Sequence, residues 1–379
     1  MRVLHLYSGN LFGGIESILL ALAASRSAQI DHEFALCFHG RLERELAALG
    51  VSVQPLGPVR MSRPASAVRA RRVLARQLTA RSYDRVICHA PWSQGLFGGV
   101  VRKAGVPLVF WAHDVMTGRH WTEKLARRVS PDLVICNSRF TATTLPMLYP
   151  KVQSTVVYAP VPNAVPLRAE SRRAIRAELE TADDAVVIVT ACRSERWKGH
   201  SRLVEALAGL TDMPKWIWWQ AGGVQRSPEE EYIRGVKQAA RRSGVFDRVR
   251  WLGERHDVSA LLASADLYCQ PNLEPEPFGM VFVEALAAGL PVVTSALGGA
   301  LEIVDESCGR LVAADDRAAL AATLRTLIDD RELRAQLAAA APGQARRLCD
   351  PTAVERELFD VLSGMTRTAL RQTRVAVGA

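Results

Sequence analysis

Two doubly wound, parallel-sheet α/β domains are predicted by three observations: a strand–helix rhythm from the first residue, a proline-rich break, and a restart of the rhythm beyond it. In the first series the apolar runs RVLHLYS, HEFALCF, DRVICHA, PLVFWAH and DLVICNS are each followed by sequence of helix length. The break is Ala159-Pro160-Val161-Pro162-Asn163-Ala164-Val165-Pro166, which reads as a linker. The second series is AVVIVTA, KWIWWQAGG, RVRWLG, ADLYCQP and PVVTS. The boundaries expected from this pattern are 1–165 and 166–348, with a terminal segment 349–379 that holds an amphipathic helix over roughly Pro351 to Thr373. Ligands of such sheets lie beyond the carboxyl ends of the strands, so both sheets should open on one cleft and residues just after strands carry the functional weight.

Composition bounds the class. A chain of 379 residues, 49% hydrophobic and 23% charged, can bury a sizeable core and by length suggests two or three domains. The opening MRVLHLYSGNLFGG has one basic residue and a short strand-like run, unlike a signal peptide. No apolar run approaches the roughly 18 residues needed to span a bilayer, so the expected compartment is the cytosol. Seven cysteines, at 37, 88, 136, 192, 269, 308 and 349, stand singly, several inside apolar strand-like runs, which favours reduced, buried thiols and excludes ribbon-type zinc spacing.

Charge is uneven. Residues 1–165 carry 20 Lys and Arg against 9 Asp and Glu, a balance of +11, whereas the remainder carries 28 against 30, a balance of −2. Arg60, Arg63, Arg69, Arg71, Arg72, Arg76 and Arg81 gather in one segment. A helix over Ser66 to Arg81 would align Ala67, Ala70, Leu74 and Leu78 on one face, which suits an anionic bilayer and equally an ordinary solvated helix. No aromatic interleaving or zinc-finger spacing accompanies these arginines, so nucleic acid is not an expected partner.

The most informative run is Glu276-Pro277-Phe278-Gly279-Met280-Val281-Phe282-Val283-Glu284, followed by ALAAGLPVVTSALGG. Pro277 disfavours helix at Glu276 and Gly279 permits a sharp turn, placing Glu276 in a loop and Glu284 in the helix that follows. On one helix the two carboxylates would stand roughly 12 Å apart, too far to share a proton and about the span of a ribose, a diphosphate and a sugar. The helix N-terminus, with free N–H groups and a positive dipole end, favours a phosphate or a polarised hydroxyl.

Other candidates follow strands. Arg193 and Lys198 lie in CRSERWKGH after AVVIVTA, and two cations there could neutralise a diphosphate. Arg196 lies between them. His113-Asp114 ends PLVFWA, and His89 ends DRVIC. Ser8 to Gly14 forms a glycine-containing loop before a helix near Ile15, without Walker or dinucleotide spacing. There is no Asp-x-Asp anywhere.

The run from Glu276 to Glu284, the GG-x-x-E of Gly298, Gly299 and Glu302, and WAHD together resemble the retaining glycosyltransferases of the GT-B fold, specifically family 4. The resemblance covers nearly the whole chain and is strongest over residues 185–312. It implies two Rossmann-like domains with a terminal helix that crosses back to the first. It also implies transfer of a glycosyl unit, with retention, from a UDP- or GDP-sugar to a hydroxyl of a glycan or lipid-linked acceptor in cell-envelope or exopolysaccharide synthesis. By resemblance, Glu276, Phe278, Gly279 and Met280 meet the donor sugar, Glu284 the ribose, Arg193 and Lys198 the diphosphate, and His113 the sugar near the reacting centre. Gly13 and Gly14 lie near the donor phosphates and the acceptor. Glu276 is either a nucleophile or an orienting group. Positioned cations and the lack of an Asp-x-Asp imply no metal and no cofactor.

The chain departs from the family in its linker, which lacks an asparagine-glycine, and in AGGVQRSPEEEY, which lacks a glycine-proline. The basic first half suits peripheral contact with an anionic membrane. The rival outside catalysis is an inactive GT-B relic that binds a nucleotide sugar or scaffolds other enzymes. Loss of Arg193, Lys198 or either glutamate would favour it, and all are present.

Overall fold

The structure is a computed structural model and describes residues 1–365, apart from 26, 27, 61, 163, 165–167 and 214. Part of the proline-rich break and residues 366–373 of the expected last helix therefore lie outside the described residues. The chain divides into two compact units, one of residues 1–160 with 351 onward and one of residues 161–350.

The first unit is built on seven parallel strands: β1 (Arg2–Tyr7), β2 (Asp31–Leu36), β3 (Val53–Pro55), β4 (Arg85–His89), β5 (Leu108–Ala112), β6 (Leu133–Cys136) and β7 (Ser154–Val156). Their order is β3-β2-β1-β4-β5-β6-β7, so the winding reverses between β1 and β4. The second unit holds β8 (Val186–Ala191), β9 (Trp216–Ala221), β10 (Val249–Gly253), β11 (Leu267–Gln270), β12 (Val292–Ser295) and β13 (Gly309–Val312). Their order is β10-β9-β8-β11-β12-β13, reversing between β8 and β11. Both are doubly wound parallel sheets. Central strands sit under helices on both faces, so β5 is buried at every residue and β8 at all but its last; such strands read as unbroken apolar runs.

The helix Pro64–Ala80 buries Ala70, Leu74 and Leu78 in the core shared with Phe97 and Val101 of the helix Ala90–Ala104. Its apolar stripe is thus spent inside the unit, and Arg69, Arg71, Arg72 and Arg76 remain exposed. The described end of the chain is the helix Pro351–Ser363, with Val354, Leu358 and Leu362 buried. Glu355 of this helix accepts from Ser25 Oγ at 2.8 Å and meets His32 Nε2 at 3.0 Å, while Arg85 donates to the Leu362 carbonyl at 3.0 Å. All seven cysteines are free, and burial pushes the thiols of Cys37 and Cys308 up to about 12 and about 11. Among the described residues no helix is long and apolar enough to cross a membrane.

Candidate active site

Strands β8 and β11 are neighbours, with Ile188 paired to Leu267, so the loops leaving their carboxyl ends meet. The β8 loop runs through Arg193 to a single 3-10 turn, Arg196–Lys198, and enters the helix His200–Ala208 through Gly199. Gly199 has φ +79°, and a Cβ there would fall 1.8 Å from the Pro271 carbonyl oxygen, so only glycine lets the two loops touch. The contact brings Lys198 Nζ to 2.7 Å from Glu276 Oε2. Asn272 Nδ2 donates to the same oxygen at 2.9 Å and Gln270 Nε2 at 3.3 Å, while Gln270 also holds Asn272 Oδ1 at 2.8 Å. All three donors thus fall on Oε2, and Oε1 is left as the acceptor a ligand could use.

Glu276 lies outside helix, bridged to Gly298, and Glu284 lies within the helix Met280–Ala287. That helix starts at Gly279, a left-handed residue with φ +110°, and no side chain caps it, which leaves first-turn N–H groups for an anion. Phe278 is buried, and Met280 is the first helical residue. The Glu284 carboxylate is largely buried and has no hydrogen-bond or ion-pair partner among the described residues, and desolvation pushes it up to about 7. Arg193 is held by two carboxylates, Glu195 at 3.0 Å and Glu229 at 3.2 Å.

In the first unit, Gly13 is extended and precedes the helix Gly14–Ala24. Its N–H donates to Glu16 Oε2 at 2.8 Å, so this amide is engaged by the helix's own first turn. Gly14 is exposed. His113 follows β5; its ring stacks on those of His89 and Trp111, and its Nε2 meets His89 Nδ1 at 2.9 Å. Burial pulls His113 down to about 3, so the ring is neutral. Among the described residues no group of three or more His, Cys, Asp or Glu side chains is arranged to hold a metal ion.

Two family models divide the chain between them: Glycosyltransferase Family 4 matches residues 12–165 and Glycosyl transferases group 1 matches residues 171–344. The crystal structure of Anabaena HepE in complex with UDP and glucose superposes with a TM-score of 0.85 at 26% identity, over 96% of this chain and 100% of that one. The chain belongs to the GT-B glycosyltransferases of family 4. This glycosyltransferase is also 37% identical over 153 residues to the phosphatidyl-myo-inositol mannosyltransferase of Mycobacterium leprae, 40% of this chain and 39% of that one. It is 30% identical over 315 residues to the D-inositol 3-phosphate glycosyltransferase of Salinispora tropica, 74% of this chain. The matches span only 39% and 64% of those two relatives' own lengths.

Several residues of this glycosyltransferase's site were not singled out from sequence. Gln270, which ends β11, and Asn272, two residues beyond it, carry Glu276, and that place at a strand's carboxyl end was their signal. Glu229 and Glu16, which engage Arg193 and Gly13, sit in first turns of helices, where an acidic residue reads as ordinary dipole pairing.

Proposed function

We propose that this glycosyltransferase moves a sugar from a nucleoside-diphosphate sugar, with retention of anomeric configuration and without a metal, to a hydroxyl of a glycan or lipid-linked acceptor in cell-envelope glycan synthesis. The observation that carries the reading is the Lys198–Glu276 pair next to the uncapped start of the helix Met280–Ala287. As the nucleoside diphosphate leaves, negative charge builds on its phosphate; Lys198, Arg193 and the helix N-terminus stabilise that charge more than the ground state. Glu284, lacking a protein partner among the described residues, accepts from a ribose hydroxyl. Within the second unit the Phe278–Met280 segment meets the sugar, and within the first unit His113, Gly13 and Gly14 are the candidate substrate contacts.

Glu276 acts here as an orienting group. Three donors on Oε2 drain its nucleophilicity, while Oε1 accepts from a sugar hydroxyl and the departing phosphate takes the acceptor's proton on the same face. HepE, bound to UDP and glucose, favours a UDP-sugar, and the mannosyltransferase relative acting on phosphatidyl-myo-inositol favours a lipid-linked acceptor. Such an acceptor suits a cytosolic protein that meets the inner face of the membrane through its basic first half.

Thermal shift of the purified chain against UDP, GDP, ADP and their sugars, in excess chelator, is the test. Stabilisation by one nucleotide family that is lost in Lys198→Ala supports the site and names the base. No shift from any nucleotide moves the reading to an inactive scaffold, and a shift restored only by magnesium removes metal independence.

A further inference from the structure

Four histidines of the first unit form one hydrogen-bonded line that ends on a carboxylate. Glu355 Oε1 meets His32 Nε2 at 3.0 Å, and His32 Nδ1 meets His5 Nε2 at 2.8 Å. His5 Nδ1 meets His89 Nε2 at 2.9 Å, and His89 Nδ1 meets His113 Nε2 at 2.9 Å. Strand register builds the line. Paired residues of a parallel sheet, and residues two apart, share a face. His32 pairs with Val3, two before His5; His5 pairs with Ile87, two before His89; His89 pairs with Trp111, two before His113. Each step moves one strand across and two residues toward the carboxyl edge, and three strand spacings carry it about 14 Å. Phe34 and Trp111 stack against the rings, packing the line on its flanks.

A neutral imidazole has one donor and one acceptor nitrogen, whereas a carboxylate only accepts. With His32 in its neutral form as well, its proton sits on Nε2 and its Nδ1 offers a lone pair. That lone pair takes the Nε2–H of His5, whose Nδ1 takes the Nε2–H of His89, whose Nδ1 takes the Nε2–H of His113. The direction set at Glu355 leaves His113 Nδ1 without a proton. That atom is buried and has no hydrogen-bond partner among the described residues. Burial holds His5, His89 and His113 well below the ordinary imidazole range, so each is neutral and obeys the one-donor rule.

We infer that Glu355 is a positioning residue which, through His32, His5 and His89, fixes His113 as the Nε2–H tautomer and presents its Nδ1 as an acceptor to a sugar hydroxyl. The ligand half of this inference rests on the proposed function; the tautomer half does not.

The test reads ring-nitrogen NMR of the full chain labelled at histidine, at pH 8, beside transfer kinetics and thermal unfolding. In the wild type His113 is expected wholly as Nε2–H. Glu355→Leu and His5→Phe cut the line and give a mixture of tautomers with about a fivefold to tenfold loss in kcat/KM. His5→Gln, whose amide donates to His32 and whose carbonyl accepts from His89, keeps both the tautomer and the rate. A wild-type His113 protonated on Nδ1, or a tautomer unchanged in both cut variants, overturns the inference, and the wild-type spectrum needs no variant to fold. A wild type with the expected tautomers but no transfer from any nucleotide sugar leaves the relay standing and removes the proposed function instead.

Discussion

Lys198 Nζ sits 2.7 Å from Glu276 Oε2, with both side chains largely buried, 13% and 11% exposed. Removing one partner of such a pair leaves a charge in a poor solvent, which costs more than the pair itself contributes. Lys198→Ala is expected to lower stability by about 3–5 kcal/mol and transfer by at least about a hundredfold. Adding Glu276→Ala should return part of the stability and none of the activity. Urea denaturation and initial rates on the two singles and the double decide this: stabilities that simply add would mean the pair is not coupled.

Glu284 gives a pH signature. Its folded value is raised to about 7 by burial, above an ordinary carboxyl near 4.5. Below pH 4.5 both states are protonated and nothing is lost. Between about 4.5 and 7 the unfolded chain ionises first and binds fewer protons than the native state, so stability falls as pH rises, then levels off. The penalty reaches about 3 kcal/mol above pH 7. Glu284→Gln should erase this slope and be the more stable protein at pH 8, while binding the nucleotide about tenfold more weakly. Denaturation midpoints at pH 5 and pH 8 measure it, and equal pH slopes in the two proteins would sink it.

Central strands were legible because burial on both faces writes continuous apolar runs such as LVFWA. Strands β3, β7 and β13 were not, since each is an edge strand of three or four residues with one partner. Pro277 and Gly279 were enough to divide Glu276 from Glu284 between loop and helix. The Lys198–Glu276 pair was not readable, because 78 residues separate its members and only the adjacency of β8 and β11 joins them. The histidine line was hidden for the same reason. His89 and His113 each look like a lone strand-end histidine until register aligns four strands. The helix Pro64–Ala80 shows the opposite failure: its stripe was visible in sequence, but not whether lipid or protein covers it.

Because Ala70, Leu74 and Leu78 are buried, membrane attachment through that helix is expected to be mainly electrostatic. Arg69, Arg71, Arg72 and Arg76 would each contribute about 1 kcal/mol near an anionic surface, and salt screens that attraction. Flotation with anionic liposomes is expected to succeed at low salt and fail at high salt. Reversing Arg69, Arg72 and Arg76 to Glu should abolish it with transfer to a soluble acceptor unchanged. Binding that survives high salt would mean apolar insertion and defeat this reading.

Two glycines separate a site effect from a general one. Gly298 has φ +61°, and a Cβ there would lie 2.3 Å from the Glu276 carbonyl oxygen and 2.9 Å from its nitrogen. Since Gly299 N–H also holds that carbonyl at 2.8 Å, Gly298→Ala must push the Glu276 loop away from Lys198. The expected result is a loss of about 2–3 kcal/mol from left-handed strain and steric conflict, with transfer nearly abolished. Gly235 lies inside the helix Ser227–Arg242 with open space where a Cβ would stand. Gly235→Ala should therefore gain about 0.5–1 kcal/mol and leave transfer untouched. If Gly298→Ala lost stability yet kept full activity, the position of Glu276 against Lys198 would not be what the chemistry depends on.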